Sequence, residues 1–260
     1  MIKNAIDTIV LVGAGNVATH LVVAFRDTGR KIIQVYDRSE NSARQLAEKT
    51  GAELCSELKY IRSDADLYII AVTDSAIENL VKELKVSNGL VVHTSGFKSI
   101  EAVRNISENY GVFYPLQTFS KNKPLDYLTI PVCIEANNEA NLKLLEDLAL
   151  SFSTDVRNIN SEQRKMIHLA AVFANNFTNM MYGIAEEIIS DKNIPFDILK
   201  PLIMETANKV MTLLPVEAQT GPARRMDEEI MHEHIEMLSR DEYKELYKKI
   251  SKLIHMKYNC

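Results

Sequence analysis

The sequence predicts a doubly wound α/β domain over residues 1–158 followed by an all-α domain over residues 159–260. Three observations carry this prediction. Short apolar runs alternate with stretches of helical spacing through the first part of the chain, as parallel strands and their crossover helices do. The first run ends in Gly13-Ala14-Gly15-Asn16-Val17-Ala18, a strand-to-helix turn. From about Ser161 the spacing is helical almost throughout.

The strand candidates, in order, are Thr8–Val12, Lys31–Tyr36, Leu67–Val72, Leu90–Thr94, Gly111–Tyr114 and Ile130–Glu135. Between them Asn16–Arg26, Ser39–Lys49, Ser75–Lys85 and Ser99–Ser107 repeat their apolar residues at helical intervals. Leu67-Tyr68-Ile69-Ile70-Ala71-Val72 is apolar at every position, as a strand covered on both faces must be. Ser161, Arg164 and Lys165 open a long helix, and breaks are expected at Asn193-Ile194-Pro195, Pro215 and Gly221-Pro222. The last segment, Asp241–Lys257, gathers Tyr243, Leu246, Tyr247, Ile250, Leu253 and Ile254 on one face and basic residues on the other. That pattern fits a helix docked on its own protein better than one lying on a membrane.

With 46% hydrophobic and 25% charged residues, the composition is that of a globular protein with ample core. The net charge of -5 argues against a nucleic-acid partner, which needs a basic surface. Cys55, Cys133 and Cys260 are too widely spaced for a disulfide framework or a metal knuckle, and free thiols fit a reducing compartment. His232 and His234, two apart on a predicted helix, point to different faces, so no metal site is expected. Near the start the only apolar run is Ile9–Val12, too short for a signal or a membrane span. A cytoplasmic location, with no membrane partner, is the expectation.

The glycine turn carries the clearest chemistry. Gly13 permits a tight exit from the strand, Gly15 lets the backbone approach a pyrophosphate, and Ala18 allows close helix–strand packing. The helix that opens at Asn16 and Val17 offers unpaired N–H groups and its positive dipole end to phosphates. Dinucleotide binding follows. After the second strand, Asp37 suits the ribose 2′-hydroxyl of NAD, whereas Arg38 and Ser39 suit the 2′-phosphate of NADP. The residues alone leave the two cofactors open.

Ligands of such sheets lie beyond the carboxyl ends of the strands. Val72-Thr73-Asp74, His93-Thr94-Ser95-Gly96 and Tyr114-Pro115-Leu116-Gln117-Thr118-Phe119 occupy three of those ends. His93, Ser95 and Thr118 offer proton donors to a reducible carbonyl or imine, or else cap the turns they sit in. No charge occurs from Leu169 to Ala185, although Asn175, Asn176 and Asn179 fall inside. At regular helical spacing His168, Asn175 and Asn179 share one face, opposite Met166, Phe173, Phe177, Ile184 and Ile188. A buried helix facing a cleft or a subunit partner is expected there. Lys165 is a second proton donor to weigh against His168. Arg224 and Arg225, beside the Gly221-Pro222 turn, suit a carboxylate or phosphate, or pair locally with Asp227.

These motifs together resemble the Rossmann-like NADP oxidoreductases that carry a helical C-terminal domain. Their first domain is similar to those of deazaflavin-dependent NADP oxidoreductases and pyrroline-5-carboxylate reductases, within the 6-phosphogluconate dehydrogenase-like superfamily. The resemblance rests on residues 13–18, Ala71-Val72-Thr73-Asp74, residues 93–96, residues 115–119, His168-Leu169-Ala170-Ala171 with Asn175 and Asn176, and Thr220-Gly221-Pro222 with Arg225 and Asp227. It departs where the family usually has histidine for Tyr114, glycine for Met226 and serine for Asp37. It implies NADP as cofactor, and a homodimer through the C-terminal helices.

The expected activity is hydride transfer between a nicotinamide and a small carbonyl or imine substrate. Gly13, Gly15, Asn16, Val17, Asp37, Arg38, Ser39, Val72, Thr73 and Asp74 would hold the cofactor. His93, Ser95, His168 and Asn175 would orient and protonate the substrate, with Thr118, Asn176 and Arg225 binding it. The alternative is a non-catalytic NADP(H)-binding redox sensor.

Overall fold

The computed structural model describes residues 5–258, so Cys260 lies outside the described residues. It builds one sheet from β1 (Thr8–Val12), β2 (Lys31–Tyr36), β3 (Glu53–Cys55), β4 (Leu67–Ile70), β5 (Leu90–His93), β6 (Tyr110–Pro115), β7 (Val132–Ala136) and β8 (Val156–Asn158). The order is β3-β2-β1-β4-β5-β6-β7-β8, parallel throughout except between β6 and β7. The order reverses at β1 and β4, which places the switch-point crevice beyond Val12 and Ile70. Helices α1 (Asn16–Arg26), α2 (Glu40–Thr50), α3 (Asp74–Glu83) and α4 (Glu139–Leu150) complete the layers.

Alternation along each central strand divides the core in two. Ile9 and Leu11 of β1, with Leu67 and Ile69 of β4, join one apolar cluster, while Val10, Val12, Tyr68 and Ile70 join the other. All eight are fully buried, which explains why these strands read as unbroken apolar runs. Phe25, Phe113 and Phe152 pack as a triad in the first cluster, with ring centroids 5.7 to 6.2 Å apart.

Three sequence expectations need correction. The helix over Ser99–Ser107 is only a 3₁₀ turn, Ile100–Val103, because the backbone there bonds to neighbouring segments; Val86 N–H, for example, donates to Ile106 O at 2.9 Å. The strand expected at Ile130–Glu135 runs antiparallel to β6, because the connection holds a 3₁₀ turn, Tyr127–Thr129, and no crossover helix. Strands β3 and β8 are three residues each and carry no periodic signal, and they were not foreseen, nor was α4.

The chain separates into two compact units that divide between Val172 and Phe173. Helix α5 (Ser161–Ala171) therefore belongs to the first unit, with the sheet. The second unit starts within a π turn, Val172–Phe177, where Thr178 Oγ1 donates to Phe173 O at 3.1 Å. It continues through α6 (Thr178–Ser190), α7 (Lys200–Thr212), α8 (Pro215–Ala218), α9 (Pro222–Arg225), α10 (Glu228–Met237) and α11 (Asp241–Tyr258). The foreseen breaks fall where proline and glycine place them: Asn193 ends a helix at φ 57°, and Gly221 turns at φ 104°. The α11 residues Leu246, Ile250 and Ile254 line an apolar groove with Met181, Ile184 and Ile188, so this terminal helix docks on its own unit.

The uncharged stretch is not buried by the chain itself. Phe173 is 63% exposed and Met180 51%, and Asn175 and Asn176 are exposed. The wide π turn also removes the regular 3.6-residue repeat on which the common face of His168 and Asn175 was based.

Candidate active site

The glycine turn is fixed from both sides. Gly13 N–H donates to Tyr36 O at 2.7 Å, and a Cβ at Gly13 would stand 2.3 Å from Ala71 O. With φ at +114°, only glycine suits this position. At Gly15 a Cβ would meet nothing within 4 Å, so open space lies before the N-terminus of α1. That terminus has no side-chain cap and no acidic residue in its first turn, which leaves its N–H groups for a phosphate. Val17 packs against the core, and Asn16 Nδ2 donates to Phe119 O at 2.8 Å.

Asp37 turns inward. Its Oδ2 accepts from Ala14 N–H at 2.7 Å and its Oδ1 from Ser39 N–H at 2.8 Å, so the carboxylate ties the glycine turn to the end of β2. Ser39 caps α2, and Arg38 is exposed beside it with no hydrogen bond or ion pair to another described residue. A pyrophosphate cradle with an unpaired guanidinium at the end of β2 fits NADP, whose 2′-phosphate needs such a cation. Val72 is half-buried and packs on the core, Thr73 is exposed, and Asp74 opens α3.

At the carboxyl end of β5, His93 is fully buried. Its Nδ1 accepts from Ser95 N–H at 3.2 Å, and Nε2 donates to Ser99 O at 3.1 Å. Burial, then the Arg164 charge, pushes its pKa down to about 4. Ser95 Oγ accepts from the N–H groups of Phe97 and Lys98 at 3.0 and 2.9 Å. Both side chains thus hold the 93–98 loop, and neither ring nitrogen of His93 is open to a substrate.

His168 is placed differently. Its Nδ1 lies 3.2 Å from Tyr114 Oη, and Nε2 has no partner among the described residues. Both rings press on Gly96, where a Cβ would be 2.6 Å from His168 Nδ1 and 2.9 Å from Tyr114 Cζ. Burial pushes the Tyr114 pKa up to about 12, so the phenol keeps its proton. Lys165, the other candidate donor, is paired with Glu162 at 2.8 Å. Arg164, one turn before His168, is completely buried: it pairs with Glu135 at 2.5 Å and donates to Ser95 O and Lys98 O at 3.2 and 2.6 Å. It thereby fastens the start of α5 to the loop that carries Gly96.

Thr118 is exposed on the segment after β6. That segment is held to α1 by Asn16 and by His20, whose Nε2 donates to Ser120 O at 2.9 Å and whose Nδ1 accepts from Tyr127 Oη at 2.8 Å. Asn175, Asn176 and Arg225 lie exposed in the second unit. Arg224, by contrast, bonds the carbonyls of Gln219 and Val216. Sequence reasoning missed Arg164, Glu135, Tyr114 and His20 as site-forming residues. Their partners lie far along the chain, so no local pattern marks them; only Gly96, within His93-Thr94-Ser95-Gly96, hinted at a close approach.

Among the described residues no group of His, Cys, Asp or Glu is arranged to hold a metal ion, and no helix is long and apolar enough to cross a membrane. A glycine turn at the switch point, with polar groups at adjoining strand ends, defines the class: a nicotinamide-dependent oxidoreductase on a Rossmann-like fold. Residues 8–95 match the family described as NADP oxidoreductase coenzyme F420-dependent, and residues 130–254 a domain of unknown function, DUF2520. The crystal structure of the proposed NADP oxidoreductase BF3122 from Bacteroides fragilis is 43% identical, with 98% of this chain and 100% of that chain covered and a TM-score of 0.91. The protein belongs to this NADP oxidoreductase family, and NADP is its cofactor. A 1-pyrroline-5-carboxylate reductase from Streptococcus pyogenes shares the fold at 14% identity, covering 98% of this chain and 100% of that one, with a TM-score of 0.67. An L-aspartate dehydrogenase from Methanocaldococcus jannaschii is 35% identical over 75 residues, which span 28% of this chain and 28% of that enzyme.

Proposed function

We propose that the protein reduces a small carbonyl or imine compound with NADPH, and that His168 faces the substrate atom that gains the electron pair. The observation that carries this is His168 itself, seated on Gly96 beyond the end of β5 with Nε2 unengaged among the described residues. The cofactor, when bound, supplies the hydride. The chain supplies Gly13, Gly15, Asn16 and Val17 at the pyrophosphate, Arg38 and Ser39 at the 2′-phosphate, and Val72, Thr73 and Asp74 along the crevice. Asp37 holds the turn. His93 and Ser95 shape the loop under His168, while Thr118 is assigned to a substrate contact; Asn175, Asn176 and Arg225 belong to the second unit. In this reading residues 1–158 form the NADP-binding domain and residues 159–260 the helical domain.

The test is NADPH fluorescence during a screen of keto acids, aldehydes and imines. The expected result is turnover of at least one compound, lost in a His168→Ala variant that still binds NADPH. Tight NADPH binding without turnover of any compound, untouched by that substitution, would instead identify a redox sensor.

We also propose that the protein is a cytoplasmic homodimer, joined through its C-terminal helices, with a small molecule rather than nucleic acid or membrane as its partner. The exposure of Phe173 (63%), Leu202 (63%) and Met211 (82%) supports a covered face. The free thiols of Cys55 and Cys133 suit a reducing compartment. Light scattering should give twice the chain mass of 29.4 kDa. A monomer at micromolar concentration would reject the dimer.

A further inference from the structure

We propose that Tyr114 fixes His168 as the Nε2–H tautomer, which makes His168 a hydrogen-bond donor to the carbonyl oxygen or imine nitrogen of the substrate. The inference rests on the oxidoreductase reading of this site and assigns the work within it. Tyr114 Oη stands 3.2 Å from His168 Nδ1, with the rings edge-on at 72° and their centroids 6.3 Å apart. The phenol oxygen has no other partner among the described residues. A half-buried hydroxyl proton needs an acceptor, and Nδ1 accepts only when it carries no proton itself. Burial keeps that proton on the phenol. The ring's own proton therefore sits on Nε2, the nitrogen left without a partner.

Three features hold this arrangement rigid. Gly96 removes the side chain that would otherwise part the two rings. Tyr114 sits within β6, opposite Cys133 of β7, so its backbone cannot drift. His168 rides on α5, whose first turn is locked by Arg164 to Glu135 and to the carbonyls of Ser95 and Lys98, and by Ser161 Oγ to Glu135 at 2.8 Å. A donor on a rigid element, aimed before the substrate arrives, stabilises charge as it develops.

The electron balance fits such a donor. The hydride forms a C–H bond at the substrate carbon, and NADPH becomes NADP+. The π pair of the C=O or C=N bond moves onto oxygen or nitrogen, where the Nε2–H bond stabilises it. The proton that completes the product comes from water, and the imidazole keeps its own. Tyr114 touches only His168 in this scheme and is a positioning residue.

The experiment is nitrogen NMR of the full chain labelled with 15N-histidine, at pH 8, where an ordinary imidazole is neutral. The His168 signals are identified by their loss in H168Q. The expected wild-type spectrum shows a protonated Nε2 and an unprotonated Nδ1. In Tyr114→Phe the tautomer ratio falls about tenfold, the scale of one lost hydrogen bond. A wild-type spectrum with the proton on Nδ1, or a Tyr114→Phe spectrum unchanged from wild type, overturns the proposal. The wild-type spectrum decides even if the variant fails to fold. On a substrate found by the screen above, Tyr114→Phe should lower kcat about tenfold and leave NADPH affinity unchanged; unchanged kcat overturns the catalytic half. Failure of the oxidoreductase reading would show separately, as absence of NADPH oxidation with the tautomer intact.

Discussion

Arg164 and Glu135 form an ion pair inside the first unit, 2.5 Å from Nη1 to Oε2, with side chains only 1% and 15% exposed. The guanidinium also reaches Ser161 Oγ and two loop carbonyls, so its donors are spent on groups from three segments of the chain. Such a pair is costly to break from one side, because the partner charge is left buried and uncompensated. Arg164→Met should lower stability by about 3–5 kcal/mol in urea unfolding. Arg164→Lys should recover little, since a lysine lacks the planar fork that serves several acceptors. A loss below about 1 kcal/mol would show that the loop does not depend on this anchor.

Gly13→Ala tests the glycine turn. The added Cβ would meet the backbone oxygen of Ala71 at 2.3 Å, at a φ of +114°. Backbone cannot step aside as a flexible side chain could. NADPH affinity should fall by at least about tenfold, and stability by about 1–3 kcal/mol, the scale of backbone strain of this kind. Fluorescence titration and thermal melts read the two effects. Gly15→Ala, with no heavy atom within 4 Å, should spare stability and weaken only the cofactor.

The cofactor preference divides between neighbouring residues. Arg38→Ala should weaken NADPH by about ten- to a hundredfold, the range of a charged hydrogen bond, and leave NADH affinity nearly unchanged. Asp37 engages Ala14 and Ser39 amides, so Asp37→Asn should loosen the turn and weaken both cofactors together. A variant that gained NADPH affinity at Asp37→Asn would mean that its carboxylate opposes the 2′-phosphate. Parallel titrations with the two reduced cofactors decide.

Stability should fall in mild acid because of His93. Its folded pKa is pushed down to about 4 from an ordinary 6.5, chiefly by burial. Between those values the unfolded chain binds more protons than the folded one, so unfolding gains as pH drops. The contribution is fully present above about pH 6.5 and is lost progressively toward pH 4, by about 3 kcal/mol for the full interval. Urea midpoints at half-unit pH steps should show this slope. His93→Gln, less stable at pH 7, should show a shallower one.

Much of the first unit was legible because its signals are local. A strand buried on both faces must be apolar at every buried position, and Ile9–Val12 of β1 and all of β4 are. A tight turn that approaches a phosphate must carry glycine, and residues 13–18 do. The weakly paired edge strands β3 and β8, and the direction of β7, were less visible, since three-residue strands have no period and strand direction is set by the connection.

The candidate site was legible only in part. His168 was singled out by its place on a helix, but the face it was thought to share assumed a regular repeat that the π turn interrupts. Both ring nitrogens of His93 are engaged by backbone groups, and Ser95 Oγ accepts from two backbone N–H groups, contacts that residue type alone does not reveal.

The sequence by itself determined the sheet, the glycine turn and the kind of ligand it receives, because each depends on residue type at short spacing. Tertiary structure alone decided that Asp37 faces inward, that Arg164 is buried, and that Tyr114 and His168 meet over Gly96. Those outcomes depend on which distant carbonyl, carboxylate or ring fills the neighbouring space, and partners 23, 29 and 54 residues apart leave no periodic trace in the chain.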